Sequence, residues 1–527
     1  MRYTFLVGLL IFLVSTDAGT AARRATASEV PTVKLATGAL EGIRFGADPH
    51  SVAYLGVPYA APPIGPRRWR EPQNVPAWKG LRKATTFGAA CPQLPASWLP
   101  TVPWSEDCLF LNIWSDRRVS TMLPQPVVVY FHGGSNTAGY SQLNPLGPAL
   151  SSSGVVFVSA NYRLGPFGFL AHPSLTAESA HHASGNYGLM DQIQALKWVH
   201  ENIARFGGDP TQVTVMGQSA GAVDICLLMT SPQALGLFQR AILESGDCEA
   251  VLNEDRVRAI HYNQIAGPAE VAGASLAKDL HVANGPNTAA HLRAISAAEI
   301  LKTWSEDRTI RFSAIVDGWV IPAQPAKAFA EGTEMAIPVL VGSNADEATV
   351  FGKSGPTSLN EYMSYLRADA GPYAGQERAA YPATTDPQVP GRYIQLQNEG
   401  FACGAYSMAR ALARIGQRAY LYRLSYRPTG QRATLGAFHG EELYFLSDSY
   451  PRDWKATEKD ASFGASLRAY WTQFAKTGDP NSAATPQWPP YQLRTDRYLD
   501  LGSAIQLKQV EARIHTLDAI MKRVTTP

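Results

Sequence analysis

An α/β architecture, with a large, mostly parallel central sheet and helices on both faces, is predicted by three features of this 527-residue chain. Short apolar runs alternate with helical stretches along most of its length, the pattern of parallel strands joined by crossover helices. The runs are apolar throughout, as strands buried on both faces must be. Two of them stop abruptly at glycine, at Gly133 and Gly217, which marks sharp turns at strand ends.

In chain order, TVKLATGALEGIRF (32–45) and SVAYLGVPYA (51–60) read as short strands joined by turns, and APPIGPRRWREP (61–72) as a Pro-rich surface loop. PVVVYFHGG (126–134) and GVVFVSANYRLG (154–165) are buried-type strands. In the next segment Leu189, Ile193, Leu196, Val199, Ile203 and Phe206 recur at helical spacing, and Gly207-Gly208 with Asp209-Pro210 ends the helix. QVTVMG (212–217), RAILESGD (240–247), IPVLVGSNADE (337–347) and RAYLYRLSY (418–426) supply four more strands. Residues 250–310 and 352–415 are helix-rich excursions that cap the sheet. No Gly/Ser tract, charge block or internal repeat divides the chain, so one domain over 23–527 is expected.

The formal net charge is +2 and the charges are interspersed, which gives no electrostatic case for nucleic acid. MRYTFLVGLLIFLVSTDAGTAA has one Arg, an apolar run from Phe5 to Val14 and then small residues, the layout of a signal peptide (1–22) cleaved near Ala21 or Ala22. That run is short for a membrane anchor. Export to the periplasm or beyond is therefore expected, in an oxidising compartment. Of five cysteines, Cys91 and Cys108 flank a short Pro/Trp-rich loop, where a bridge would contribute ~3 kcal/mol in the chain-entropy model. Cys226 reads as a buried free thiol; Cys248 and Cys403 either pair or both stay reduced. No Cys/His spacing matches a zinc site, and there is no Asn-x-Ser/Thr sequon.

The chemistry begins at VTVMGQSAGAVDI (213–225). A G-x-S-x-G motif that follows a β run and opens a helix has the setting of a nucleophile elbow. Gly217 and Gly221 lack a Cβ, so neighbouring segments can approach closely, and the turn holds the Ser219 hydroxyl clear of the backbone. A serine needs a base, and in this motif class the partners follow in the order Ser, acid, His. Of eleven histidines only His439 and His515 lie beyond every plausible acid. His515 falls on an amphipathic C-terminal helix, whereas His439 sits in GAFHGEELYF, a glycine-flanked loop beyond a strand end. The acid is sought in GSNADEATVF, where Asp346 and Glu347 are adjacent and spacing does not choose between them. Asp317 has a turn role as its plainer reading; Glu106, Asp107 and Asp191 precede the serine and read as buried ion pairs. FHGGSNTAG (131–139) supplies backbone N–H groups which, with that of Ala220, would bind a developing oxyanion.

These motifs together resemble the type-B carboxylesterase/lipase family, the α/β-hydrolase group that includes cholinesterases. The resemblance runs from about residue 30 to the C-terminus and is carried by EDCLFLNIW (106–114), HGG (132–134), NYRLGPFGF (161–169), GNYGLMDQ through FGGDP (185–210), GQSAGA (217–222), VDG (316–318), GSNADEATVF (342–351) and GAFHGEEL (436–443). It implies Ser219 as nucleophile, Glu347 as triad acid, His439 as base, Gly134, Ser135 and Ala220 as oxyanion donors, and a Cys91–Cys108 disulfide. Departures are Ser135, where relatives often have a small apolar residue or glycine, and Gln218, where cholinesterases carry a glutamate. The 91–108 loop is shorter than theirs, and Trp98 and Trp104 have no sure counterpart to the choline-binding tryptophan. The expectation is an exported serine esterase acting on a small-molecule carboxylic ester, needing no metal or organic cofactor and no obligate protein partner. A non-catalytic binding protein and an interfacial lipase are the competing readings.

Overall fold

The computed structural model describes residues 30–48, 50–116, 123–246, 269–307, 309–351, 355–451 and 453–525. The leader expected at 1–22 and Cys248 lie outside these residues.

Fourteen strands are present among them: β1 (Thr32–Leu35), β2 (Gly38–Glu41), β3 (Ile43–Arg44), β4 (Ser51–Pro58), β5 (Leu81–Lys83), β6 (Phe110–Asp116), β7 (Gln125–Phe131), β8 (Val156–Ala160), β9 (Gly208–Gln218), β10 (Arg240–Glu244), β11 (Val339–Asn344), β12 (Ala419–Leu424), β13 (Arg497–Leu501) and β14 (Ile505–Gln509). β1, β2 and β5 form a small sheet; the other eleven form one large sheet in the order β14-β13-β12-β11-β10-β9-β7-β8-β6-β4-β3. Pairing is parallel from β8 through β7, β9, β10, β11 and β12 to β13, and antiparallel at both margins.

Strand periodicity sends alternate side chains into two separate cores. Val127, Val129, Val213, Val215 and Leu243 pack on one face with Leu189, Leu196 and Ile225. Val128, Tyr130, Met216, Ile242 and Leu340 pack on the other with Leu146, Leu467, Trp471 and Phe474. This double burial is why the runs read as continuously apolar. The helix Tyr187–Asn202 buries Leu189, Ile193, Leu196 and Val199; a 3-10 turn over Ile203–Phe206 follows, and Gly207, at φ 90°, stops it. β9 then starts at Gly208, so the Asp209-Pro210 pair belongs to a strand rather than to a loop.

Four further points differ from the sequence reading. Arg68 and Trp69, in the segment taken as surface loop, are buried: Arg68 pairs with Glu106 and the Trp69 indole donates to the Pro166 carbonyl at 2.8 Å. Asp107 is exposed and makes no buried ion pair. Helix Val389–Arg414, in the second excursion, lies along β11 and β12 as part of the core rather than as a cap. Cys226 is disulfide-bonded, not a free thiol; its partner lies outside the described residues. Cys403 stays reduced and buried, its thiol 3.8 Å from the Ile514 carbonyl. The Cys91–Cys108 disulfide is present, with Cα atoms 5.0 Å apart. Among the described residues no helix is long and apolar enough to cross a membrane.

Candidate active site

β9 ends at Gln218, the helix Ala220–Leu228 starts at Ala220, and Ser219 stands between them at φ 55°, ψ −125°. Such a conformation costs a non-glycine residue on the order of 1–3 kcal/mol and persists only where its surroundings enforce it. Here they do. The Ser219 N–H donates to the Glu244 carbonyl on β10 at 2.8 Å. A Cβ on Gly217 would lie 2.5 Å from the Gly221 carbonyl carbon, and one on Gly221 would lie 2.1 Å from the Phe131 oxygen. The bend therefore exists only because both positions are glycine.

The loops after β11 and β12 meet beside this turn. Glu347 Oε2 lies 2.5 Å from His439 Nδ1, while Glu347 Oε1 accepts the Asn344 N–H at 2.7 Å. The glutamate is fully buried and the imidazole 11% exposed. Phe351 and Phe401 flank the ring, with centroids 4.9 and 5.3 Å away. On its other edge, His439 Nε2 is 3.0 Å from the side-chain nitrogen of Gln218. Among the described residues the Ser219 hydroxyl makes no hydrogen bond, to His439 or otherwise. With Nδ1–H given to the carboxylate, Nε2 carries the lone pair and accepts from the Gln218 amide.

The competing candidates have other partners. Asp346 accepts the Ala437 N–H at 2.9 Å and pairs with Arg427. Asp317 caps a turn through the N–H groups of Trp319 and Ile321. Asp191 holds Arg163 at 2.7 Å. His515 lies on the helix Ala512–Thr525 and pairs with Asp496 at 3.0 Å.

The loop after β7 curls over the serine. Gly134, Ser135 and Asn136 all have positive φ, at 113°, 56° and 56°, and a Cβ on Gly133 would lie 2.9 Å from the Ser219 Cβ. Gly133 thereby lies against the Ser219 turn, just before the helix that begins at Ala220, whose first N–H has no partner within the helix. Asn136 donates to Asp224 Oδ1 at 2.8 Å, and Gln192 donates to Asp224 Oδ2 at 2.6 Å. Burial pushes the Asp224 carboxyl up to about 7 and the His132 imidazole down to about 4. The Tyr162 hydroxyl lies 2.7 Å from the His132 carbonyl and 3.0 Å from Asn136 Oδ1. Trp98, 57% exposed, brings its ring to within 3.3 Å of where a Cβ on Gly134 would be.

Behind the histidine is a buried acidic cluster. The Asn344 side chain donates to Glu442 Oε2 at 2.5 Å, and the Trp471 indole donates to Glu244 Oε1 at 2.6 Å. Burial first and the Glu347 charge second push Glu442 up to about 7; burial first and Glu442 second push Glu244 up. Motif reading missed Asn136, Asp224, Asn344 and Glu442 as parts of this site, and marked Gln218 only as a departure from cholinesterases. The one signal was Asp224, a single acid inside the apolar helix AGAVDICLL.

A sheet of this topology with a strained serine between a central strand and a helix defines an α/β-hydrolase. The chain belongs to the carboxylesterase family, whose profile matches residues 29–517, and it is a carboxylic ester hydrolase. It is similar to fumonisin B1 esterase of Sphingopyxis macrogoltabida, 35% identical over 489 residues, covering 89% of this chain and 86% of the relative. It is 34% identical to para-nitrobenzyl esterase of Bacillus subtilis (strain 168) over 480 residues, covering 86% and 92%. A solved PNB esterase structure superposes with a TM-score of 0.78 at 30% identity, covering 94% of this chain and 99% of that one.

Proposed function

We propose that the enzyme cleaves its ester through a Ser219–His439–Glu347 triad. The observation that carries this reading is the 2.5 Å contact between Glu347 and His439, assembled next to a serine held in a strained elbow. His439 Nε2 leaves the Gln218 amide and takes the Ser219 proton as the hydroxyl attacks the carbonyl. The N–H groups of Gly134, Ser135 and Ala220 bind the oxyanion, each donor contributing ~3 kcal/mol. The alcohol leaves with the proton from His439. Water then cleaves the acyl-enzyme by the same route, His439 acting as base and then as acid. Glu347 fixes the tautomer and steadies the imidazolium. The leader and the disulfides support export, and we read residues 23–527 as one domain.

The test is Ser219→Ala with an organophosphonate label. The expected result is one label per wild-type chain at Ser219, no label in the variant, and a loss of p-nitrophenyl ester turnover of at least ~10³-fold with the fold retained. Unchanged turnover in the variant would overturn the assignment. A fumonisin B1 ester and a para-nitrobenzyl ester, after which two relatives are named, are the first natural and synthetic substrates to assay.

A further inference from the structure

The oxyanion loop holds a conformation that it would not hold alone. Ser135 and Asn136 stand consecutively in the left-handed region, at on the order of 1 kcal/mol or more each. A Cβ at Gly134 would lie 1.9 Å from the Ala138 carbonyl oxygen, so the curl is tight at its start as well. A side-chain hydrogen bond runs from this loop to the serine's own helix. The fully buried Asp224, five residues beyond Ser219, accepts from the Asn136 side chain. Its other oxygen is occupied by Gln192, from the helix Tyr187–Asn202. No arginine, lysine or histidine is bonded to this carboxylate among the described residues. A buried carboxylate satisfied by two neutral amides is costly, and for stability alone an apolar residue would fit this helix better. What the aspartate gains is geometry: Asn136, which also accepts from the Tyr162 hydroxyl and the Gly165 N–H, is tied through Asp224 to the helix that Ser219 precedes.

We infer that Asp224 is the positioning residue of the oxyanion site, tethering the 134–136 loop to the nucleophile helix through Asn136 so that donors from two different segments converge on one point. This rests on the serine-esterase reading above. Asp224 does not touch the reacting atoms; it acts through Asn136. Losing the bridge would let the loop relax out of the left-handed region. Oxyanion binding, which matters in the transition state, would weaken, while substrate binding would hardly change.

The experiment is a double-mutant cycle on Asn136→Ala and Asp224→Ala, read by kcat, by KM and by the affinity of a trifluoromethyl ketone, which forms a tetrahedral oxyanion adduct on the serine. Each single variant is expected to lose about 10- to 100-fold in kcat, with KM within about threefold. Ketone affinity should fall in step with kcat/KM, and the double variant should be no worse than the poorer single one. Asp224→Asn keeps an acceptor for Asn136, and its amide can donate to the otherwise unpartnered Oε1 of Gln192. It should restore most of the ketone affinity. If Asp224→Ala does not fold, Asn136→Ala and Asp224→Asn carry the test. Ketone affinity unmoved by Asn136→Ala, or losses that simply multiply in the double variant, would overturn the tether. Phosphonate labelling of Ser219 is run alongside: a wild-type chain that takes no label would refute the triad, whereas labelled variants with full ketone affinity would refute only this inference.

Discussion

The side-chain nitrogen of Gln218 sits 3.0 Å from Nε2 of His439, so this amide stands where the base of the proposed triad would receive the Ser219 proton. A neutral amide can serve both ring states: its N–H₂ faces a bare Nε2, and after a flip its carbonyl faces Nε2–H. A carboxylate at the same place would favour only the protonated ring. Gln218→Glu should therefore move the acid limb of kcat/KM to higher pH, by about one unit, and lower the rate at pH 6 several-fold. The pH profile of p-nitrophenyl acetate hydrolysis, compared between variant and wild type, checks this; coincident profiles would refute it.

Gly221 meets the Phe131 and His132 carbonyl oxygens at 2.1 and 2.9 Å once a Cβ is built on it. Both are backbone atoms that cannot swing aside. Gly221→Ala should cost ~2 kcal/mol or more of stability and, by pushing β7 away from the elbow, at least ~100-fold in kcat. Gly375, in the helix Ala374–Ala380, meets nothing within 4 Å. Gly375→Ala should leave activity intact and raise stability by a few tenths to ~1 kcal/mol. Urea denaturation and kcat of the two variants check the pair together.

Glu442 ties the site to the pH dependence of folding. Its folded-state value, about 7, lies above that of an unfolded glutamate, near ~4.3. Between those values the folded chain binds more protons than the unfolded one, so this group's contribution to stability falls as pH rises and stays low above about 7. Glu442→Gln removes the group. From pH 5 to pH 8 the variant should gain on wild type by on the order of 2 kcal/mol, visible as converging or crossing melting curves. A constant difference across that range would contradict the protonated state.

Much of this architecture could be read from residues, for a physical reason. β7 through β12 are buried on both faces, so their runs must be apolar throughout, and all six were legible from PVVVYF to RAYLYRL. Strand β6 and the β13–β14 hairpin, on the mixed margins of the sheet, carry no such uniform signal: β14 is exposed along most of its length. The elbow was legible because both of its glycines have backbone within reach of any Cβ. The acid was legible only through the family resemblance, which pointed to Glu347: Asp346 and Glu347 are chemically alike and adjacent, so spacing alone does not choose. The two side chains have different partners, Asp346 the Ala437 N–H and Glu347 the imidazole, which supports that choice. Asn136 and Asp224 escaped notice, and the contact of Gln218 with His439 was not foreseen, because each matters only through a partner 30 to over 200 residues away.

The groups of the proposed triad and oxyanion site come from loops leaving β7, β9, β11 and β12 and from the helix after Ser219, all anchored in one continuous sheet. Among the described residues, the segment Ala269–Glu306, which lies between β10 and β11 in the chain, makes none of the contacts described at that centre and packs on the core instead. For protein engineers this divides two kinds of edit: changes on the exposed sides of these helices leave the sheet-borne centre alone, whereas replacing buried Leu276, Leu292, Ile300 or Trp304 would unsettle the core on which that centre rests.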